Sequence, residues 1–223
     1  DSPVHVTTAS ACAYADVYRV TPGLGMGVED RACRAWFERT ASELAQEPPG
    51  VVVLAMSMIH WLYRGRAVGT TPDNATRDPA TRAALVDTGV VAAIHGLEAS
   101  GHRVVMIEPM IWLPDAHVAM TACPSTLSIV TGSCPQDVTD LAPLEAEQAP
   151  IRTQLRALVE DAGAAWLPVT DRQCPQGHCP AFLGPEPVYL DAGHLSADFS
   201  RGLAPSFTAV LRAAADTLRP SPG

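Results

Sequence analysis

Lysine is missing: all 15 basic side chains are arginine, set against 24 acidic ones. The net charge is -9, and no basic stripe exists that could release phosphate counterions, which excludes nucleic acid as a partner. Aromatic residues make up only 5% of the chain, so a core drawn from its 47% hydrophobic content must be mostly Ala, Val and Leu. No apolar run approaches the roughly 20 residues that span a bilayer. The opening "DSPVHVTTAS" has neither a basic n-region nor an apolar h-region, so it does not read as a signal peptide. The chain reads as soluble, and is compatible with a piece of something larger. Repeats and long linkers are also absent, which leaves one domain over residues 1–223. Arginine without lysine, with abundant Ala, Gly and Pro, suggests GC-rich codons and a bacterial source.

Six cysteines are present, in three close pairs: Cys12 with Cys33, Cys123 with Cys134, and Cys174 with Cys179. Each pair closes a short loop rich in Pro, Gly or Asp. An even number with local pairing reads as a disulfide framework, which forms outside the cytoplasm. Zinc is the competing reading, since "CPQGHC" offers two thiols and His178. A structural zinc site needs four ligands, usually from two such knuckles, and the other pairs lack that spacing. No metal and no cofactor is expected.

Four apolar, β-rich runs stand out: 3–10, 51–57, 103–111 and 164–170. Near-continuous runs such as "VVVLAM" suit strands buried on both faces, as in a parallel sheet. Helical patterns over 32–46, 81–101 and 149–163 lie between them, the last beginning after a proline. A final helix is expected from about 196 to 218, with a break at Pro205. Alternating strands and helices predict an α/β three-layer sandwich around a parallel sheet. Such sheets bind ligands at the carboxyl ends of their strands. Ser57, Trp61 and Trp112 follow strands on that side. An indole there is either a cap on the core or a flat apolar wall for a sugar or acyl group.

"YLDAGHLSADFS" leaves the same side of the sheet. Ala192 and Gly193 let the chain turn tightly between Asp191 and His194. A carboxylate beside an imidazole fixes its tautomer and stabilises its protonated form, as a general base acting on a hydroxyl requires. The alternative is a helix N-cap with an incidental histidine.

"CPQGHCPAFLGPEPVYLDAGHLSADFSRGLAP" resembles the C-terminal signature of SGNH-type esterase domains, particularly those fused to acyltransferase-3 membrane proteins. The upstream "TTASACAYADV" and "CRAWFERTASELAQEPPGVVVLAMSMIHWLYRG" are similar to that group's cysteine-bounded loop, helix, buried strand and tryptophan. The likeness covers residues 5 to 212, and the DxxH segment with its Cys loop is its specific part. It implies a flavodoxin-like parallel sheet, His194 as catalytic base and Asp191 as its orienting carboxylate. It also implies Ser57 at a block that contributes to the oxyanion site.

The chain departs from the group in one respect: the "GDS" block that carries the nucleophilic serine is absent. Asp1-Ser2 is its only remnant, which makes Ser2 the candidate nucleophile. In the strand order 2-1-3-4-5 the first strand is central, so a gap is expected between the 3–10 strand and the 51–57 strand. The resemblance implies transfer of an acyl group, acetyl being expected, to a cell-envelope glycan or glycolipid. The partner would be a membrane-embedded acyltransferase-3 domain that tethers this one at an extracytoplasmic face. A secreted carbohydrate esterase and an inactive glycan-binding domain are the alternatives.

Overall fold

Three of the four apolar runs form the parallel sheet. The computed structural model describes residues 5–9, 12–20, 25–62, 66–113, 141–180, 182–184, 186–190 and 193–218. Strand β2 (Val51–Ala55) pairs in parallel with β4 (Arg103–Ile107), which pairs in parallel with β5 (Ala165–Leu167). The order is therefore β2-β4-β5. A short antiparallel pair, β1 (Tyr18–Val20) with β3 (Ala67–Gly69), and the two-residue strands β6 (Phe182–Leu183) and β7 (Glu186–Pro187) lie apart from it.

Helices cover both faces of the sheet, for a reason visible strand by strand. Val52, Leu54, Val104, Met106 and Trp166 point to one side. There they meet α1 (Val28–Leu44), α3 (Pro79–Ala99) and α4 (Ala142–Asp161) through Phe37, Val90, Ile94, Leu155 and Val159. Val105, Ile107 and Leu167 point to the other side, against Phe207, Val210 and Leu211 of α7 (Ala204–Asp216). Each fully buried aliphatic side chain contributes about 1.5–3 kcal/mol of hydrophobic free energy. The architecture is a mixed α/β fold with a parallel three-stranded sheet, consistent with the SGNH hydrolase fold. Gly89 lets the chain before β1 reach α3: a Cβ there would stand 2.5 Å from Val17 Cγ1, and its carbonyl accepts from Asp16 N at 2.9 Å.

Two expectations need correction. The run at 3–10 is not a strand where it is described: residues 5–9 have no regular structure, and Val6 is exposed. Strand propensity reports fit to a pleated, paired surface, and no partner strand meets this run among the described residues. The helix expected from 149 begins at Ala142 and carries Pro150 inside. Pro143, at its first turn, occupies the place where a missing N–H costs least. The final helix does break: α6 (Ala197–Gly202) ends, and α7 starts with Pro205 in its first turn.

The outer edge of β2 has no strand beside it among the described residues. On the α7 face, cover stops short of this edge. Val53 is 42% exposed there, and Ala55 is exposed as well. The gap was expected between a 3–10 strand and the 51–57 strand, and no 3–10 strand stands on its far side among the described residues.

Candidate functional site

Three segments leave the carboxyl ends of the sheet, after β2, β4 and β5, and side chains tie the last two together from behind. After β4, Glu108 accepts from the backbone amides of Val169 (2.7 Å) and Thr170 (2.6 Å), which fixes the exits of β4 and β5 side by side. Arg152, buried on α4, stands 3.6 Å from Glu108 and pairs with Glu145. Gln148 treats Trp112 as a strand partner would: Trp112 N donates to its Oε1 (2.9 Å) and Trp112 O accepts from its Nε2 (2.8 Å). Trp112 is thereby held at its backbone and remains partly exposed.

The segment bearing His194 folds back on itself. Leu190 N donates to His194 O (2.8 Å) and Ser196 N donates to Val188 O (2.9 Å), with Tyr189 and Leu195 bridged between them. The described positions on either side, 188–190 and 194–196, therefore pair antiparallel. The cap of the following helix is Ser196, whose Oγ accepts from Phe199 N at 3.1 Å. His194 itself lies exposed. Asp191, its expected partner, lies outside the described residues, as do Ser2, Cys123 and Cys134.

Beneath this turn lies a second core. Cys174 is bonded to Cys179, and both are buried with Ile111, Leu113, Leu141, Val188 and Tyr189. Cys179 O accepts from Leu141 N (2.7 Å), tying the disulfide loop to the start of α4. The Tyr189 hydroxyl meets Gln173 Nε2 at 3.4 Å, and burial pushes the phenol well above its ordinary range. Cys12 is likewise bonded to Cys33, so two of the three expected disulfides are present among the described residues. His178 is exposed on its loop. Because Cys174 and Cys179 support the strand-like 186–190, replacing both with serine will shift the His194 ring signals in an NMR spectrum. Global stability should fall less than the roughly 3 kcal/mol that a 15-residue disulfide loop contributes, since this loop is shorter.

Ser57 follows β2 and comes to the same place. A Cβ on Gly193 would stand 3.8 Å from Ser57 Oγ, so the end of β2 lies close to the His194 turn. Trp61 departs from its expected role as a wall. On α2 (Ile59–Leu62) it is 2% exposed, and its indole donates to Asp87 Oδ1 at 2.7 Å. Its flat face is spent in the core, because the only polar atom of the ring finds a buried acceptor there. Sequence reasoning missed the residues behind it, Arg82, Asp87 and Gln154. No group of three or more His, Cys, Asp or Glu among the described residues could hold a metal ion.

A parallel sheet between helical layers, with the end of β2 close to the His194 turn, is an α/β arrangement consistent with the SGNH hydrolase fold. The family model of the SGNH domain fused to acyltransferase-3 (AT3) domains matches residues 1–209, and the chain belongs to that family. No curated protein and no solved structure matches it. Membership places the chain among enzymes of the hydrolase and acyltransferase type and links it to a membrane acyltransferase-3 domain.

Proposed function

We propose that residues 1–223 are one extracytoplasmic domain that transfers an acyl group, acetyl in the simplest case, to a hydroxyl of a cell-envelope glycan or glycolipid. The carrying observation is the nearness of Ser57 to Gly193, the residue before His194, at the carboxyl end of the sheet. In this reading His194 is the general base and Asp191 orients its ring. A serine hydroxyl attacks the acyl carbonyl while His194 takes its proton; the same proton then goes to the leaving group. An acceptor hydroxyl, activated by His194 in turn, attacks the acyl-serine and frees the enzyme. Ser57 Oγ–H donates to the oxygen on which charge develops. Ser2 is the candidate nucleophile, and Trp112 the wall beside the acceptor.

The open edge of β2 supports a sheet completed by a further strand, with a membrane-embedded acyltransferase-3 domain supplying the acyl group and the tether. A soluble activated acyl ester tests the chemistry: turnover that depends on His194 supports the reading, and no turnover counts against it. Adding a glycan acceptor then separates transfer from hydrolysis. A transferase yields acylated glycan and an esterase only free acid, whereas a glycan-binding domain yields neither.

A further inference from the structure

Helix α3 carries two charged residues that the surface never sees. Arg82 is 4% exposed and Asp87 is 3% exposed. The Arg82 guanidinium donates from Nη1 to the carbonyl of Trp61 and from Nη2 to that of His60, both at 2.6 Å. Asp87 accepts from the Trp61 indole at Oδ1 (2.7 Å) and from Gln154 Nε2 of α4 at Oδ2 (2.8 Å). No carboxylate pairs with Arg82 among the described residues. Burial lowers its pKa to about 10, which leaves it cationic at neutral pH.

Packing does not call for such groups, since buried charges can often be replaced by apolar residues at no loss of stability. What they do is local. A four-residue helix leaves its last carbonyls without intrahelical donors, and the Arg82 fork fills two of them in one rigid geometry. The chain of bonds continues to Ser57, whose carbonyl accepts from His60 N at 3.2 Å, while Met58 O accepts from Trp61 N at 3.0 Å.

We propose that Arg82 and Asp87 are positioning residues that clamp α2 from behind and hold Ser57 against Gly193 and His194. The inference rests on the reading of Ser57 and His194 as the acyl-transfer site. Charge is useful here for geometry: the guanidinium spans two neighbouring carbonyls, and the carboxylate joins donors from two different helices. Asparagine at 87 would still accept from the indole and could pair with a reoriented Gln154 amide. Leucine could do neither.

The test uses the full chain with labelled histidine, the His194 signals being assigned by their loss in His194→Ala. Arg82→Met and Asp87→Leu are compared with Asp87→Asn and with Val90→Ala, a core truncation on the same helix. Each variant is scored for unfolding stability, His194 ring signals, and kcat and KM on an activated acyl ester. The expected result is displaced His194 signals and about a 100-fold fall in kcat for Arg82→Met and Asp87→Leu, the scale of a 1 Å misplacement. KM should stay within about twofold. Asp87→Asn should recover most of the loss. Val90→Ala should be destabilised with kcat and His194 unchanged.

Unmoved His194 signals in folded Arg82→Met and Asp87→Leu would overturn the proposal, and so would equal displacement in Val90→Ala. If Arg82→Met does not fold, the Asp87 pair decides alone. Displaced His194 signals in Arg82→Met and Asp87→Leu, in a protein whose wild type never turns over ester, would uphold the clamp and reject the acyl-transfer reading.

Discussion

His194→Ala will abolish acyl-ester turnover and leave unfolding stability within about 0.5 kcal/mol of wild type. The two halves of this expectation come from different features. Stability is expected to hold because the His194 side chain is exposed. The turn is closed by its backbone carbonyl, which accepts from Leu190 N and survives the substitution. Turnover is lost because a serine hydroxyl is a poor nucleophile at neutral pH unless a base takes its proton during attack. Histidine suits this task, as its unperturbed side chain changes charge near neutral pH.

Asp191→Asn should lower kcat by about 10⁴-fold, the effect of the equivalent change in the chymotrypsin-type triad. The amide would present a donor where the ring needs an acceptor, favouring the wrong tautomer. Steady-state kinetics on the activated ester, with thermal unfolding as the control, measures both. Near-normal kcat in the two variants would remove His194 and Asp191 from the mechanism.

The elements legible in the sequence were those whose burial leaves a periodic or continuous trace. "RVVMI" and "AWL" are mostly apolar because both faces of the inner sheet are covered, and "VVVLA" follows the same pattern although Val53 and Ala55 are exposed at the edge. The 196–218 break was legible at Pro205, whose ring cannot sit in a helix interior without losing a bond. The run at 3–10 has the same composition, yet residues 5–9 are not a strand, since composition does not supply a neighbour. Pro150 suggested a start because proline favours first turns, whereas eight residues before it, 142–149, already belong to α4.

The DxxH motif that proposes His194 is local in the sequence and can be read there. The nearness of Ser57 to Gly193 is not legible, as it joins positions 136 apart through sheet order alone. Arg82 and Asp87 left no trace: charged residues on an exposed-looking helix read as a solvated face until the partners on α2 and α4 are in place.

Acidification from pH 7 to pH 4 should remove about 3 kcal/mol of folding stability through His60 alone. Burial first, then the cations of Arg19 on β1 and Arg82 on α3, push its imidazole down to about 4. In the unfolded chain the same ring titrates near its ordinary value of about 6.5. Below that value the unfolded chain binds a proton that the folded protein refuses until about pH 4. Stability from His60 is therefore fully present above 6.5 and is lost as the pH falls through the window down to about 4. At 1.36 kcal/mol per unit, a difference of about 2.5 units gives the figure of about 3 kcal/mol.

Asp87 works in the opposite direction. Burial raises its carboxyl, so protonation on acidification relieves part of its cost. Replacing His60 with phenylalanine separates the two, since it keeps a ring edge-on to Trp61 and removes the proton site. Urea unfolding at pH 7 and pH 4 should show the wild type losing about 3 kcal/mol more than His60→Phe across the interval. Since His60 sits between Ser57 and Trp61, the amides of α2 should exchange faster in acid before those of β4 do. Identical pH dependence in the two proteins would show that His60 is protonated in the folded state as readily as in water.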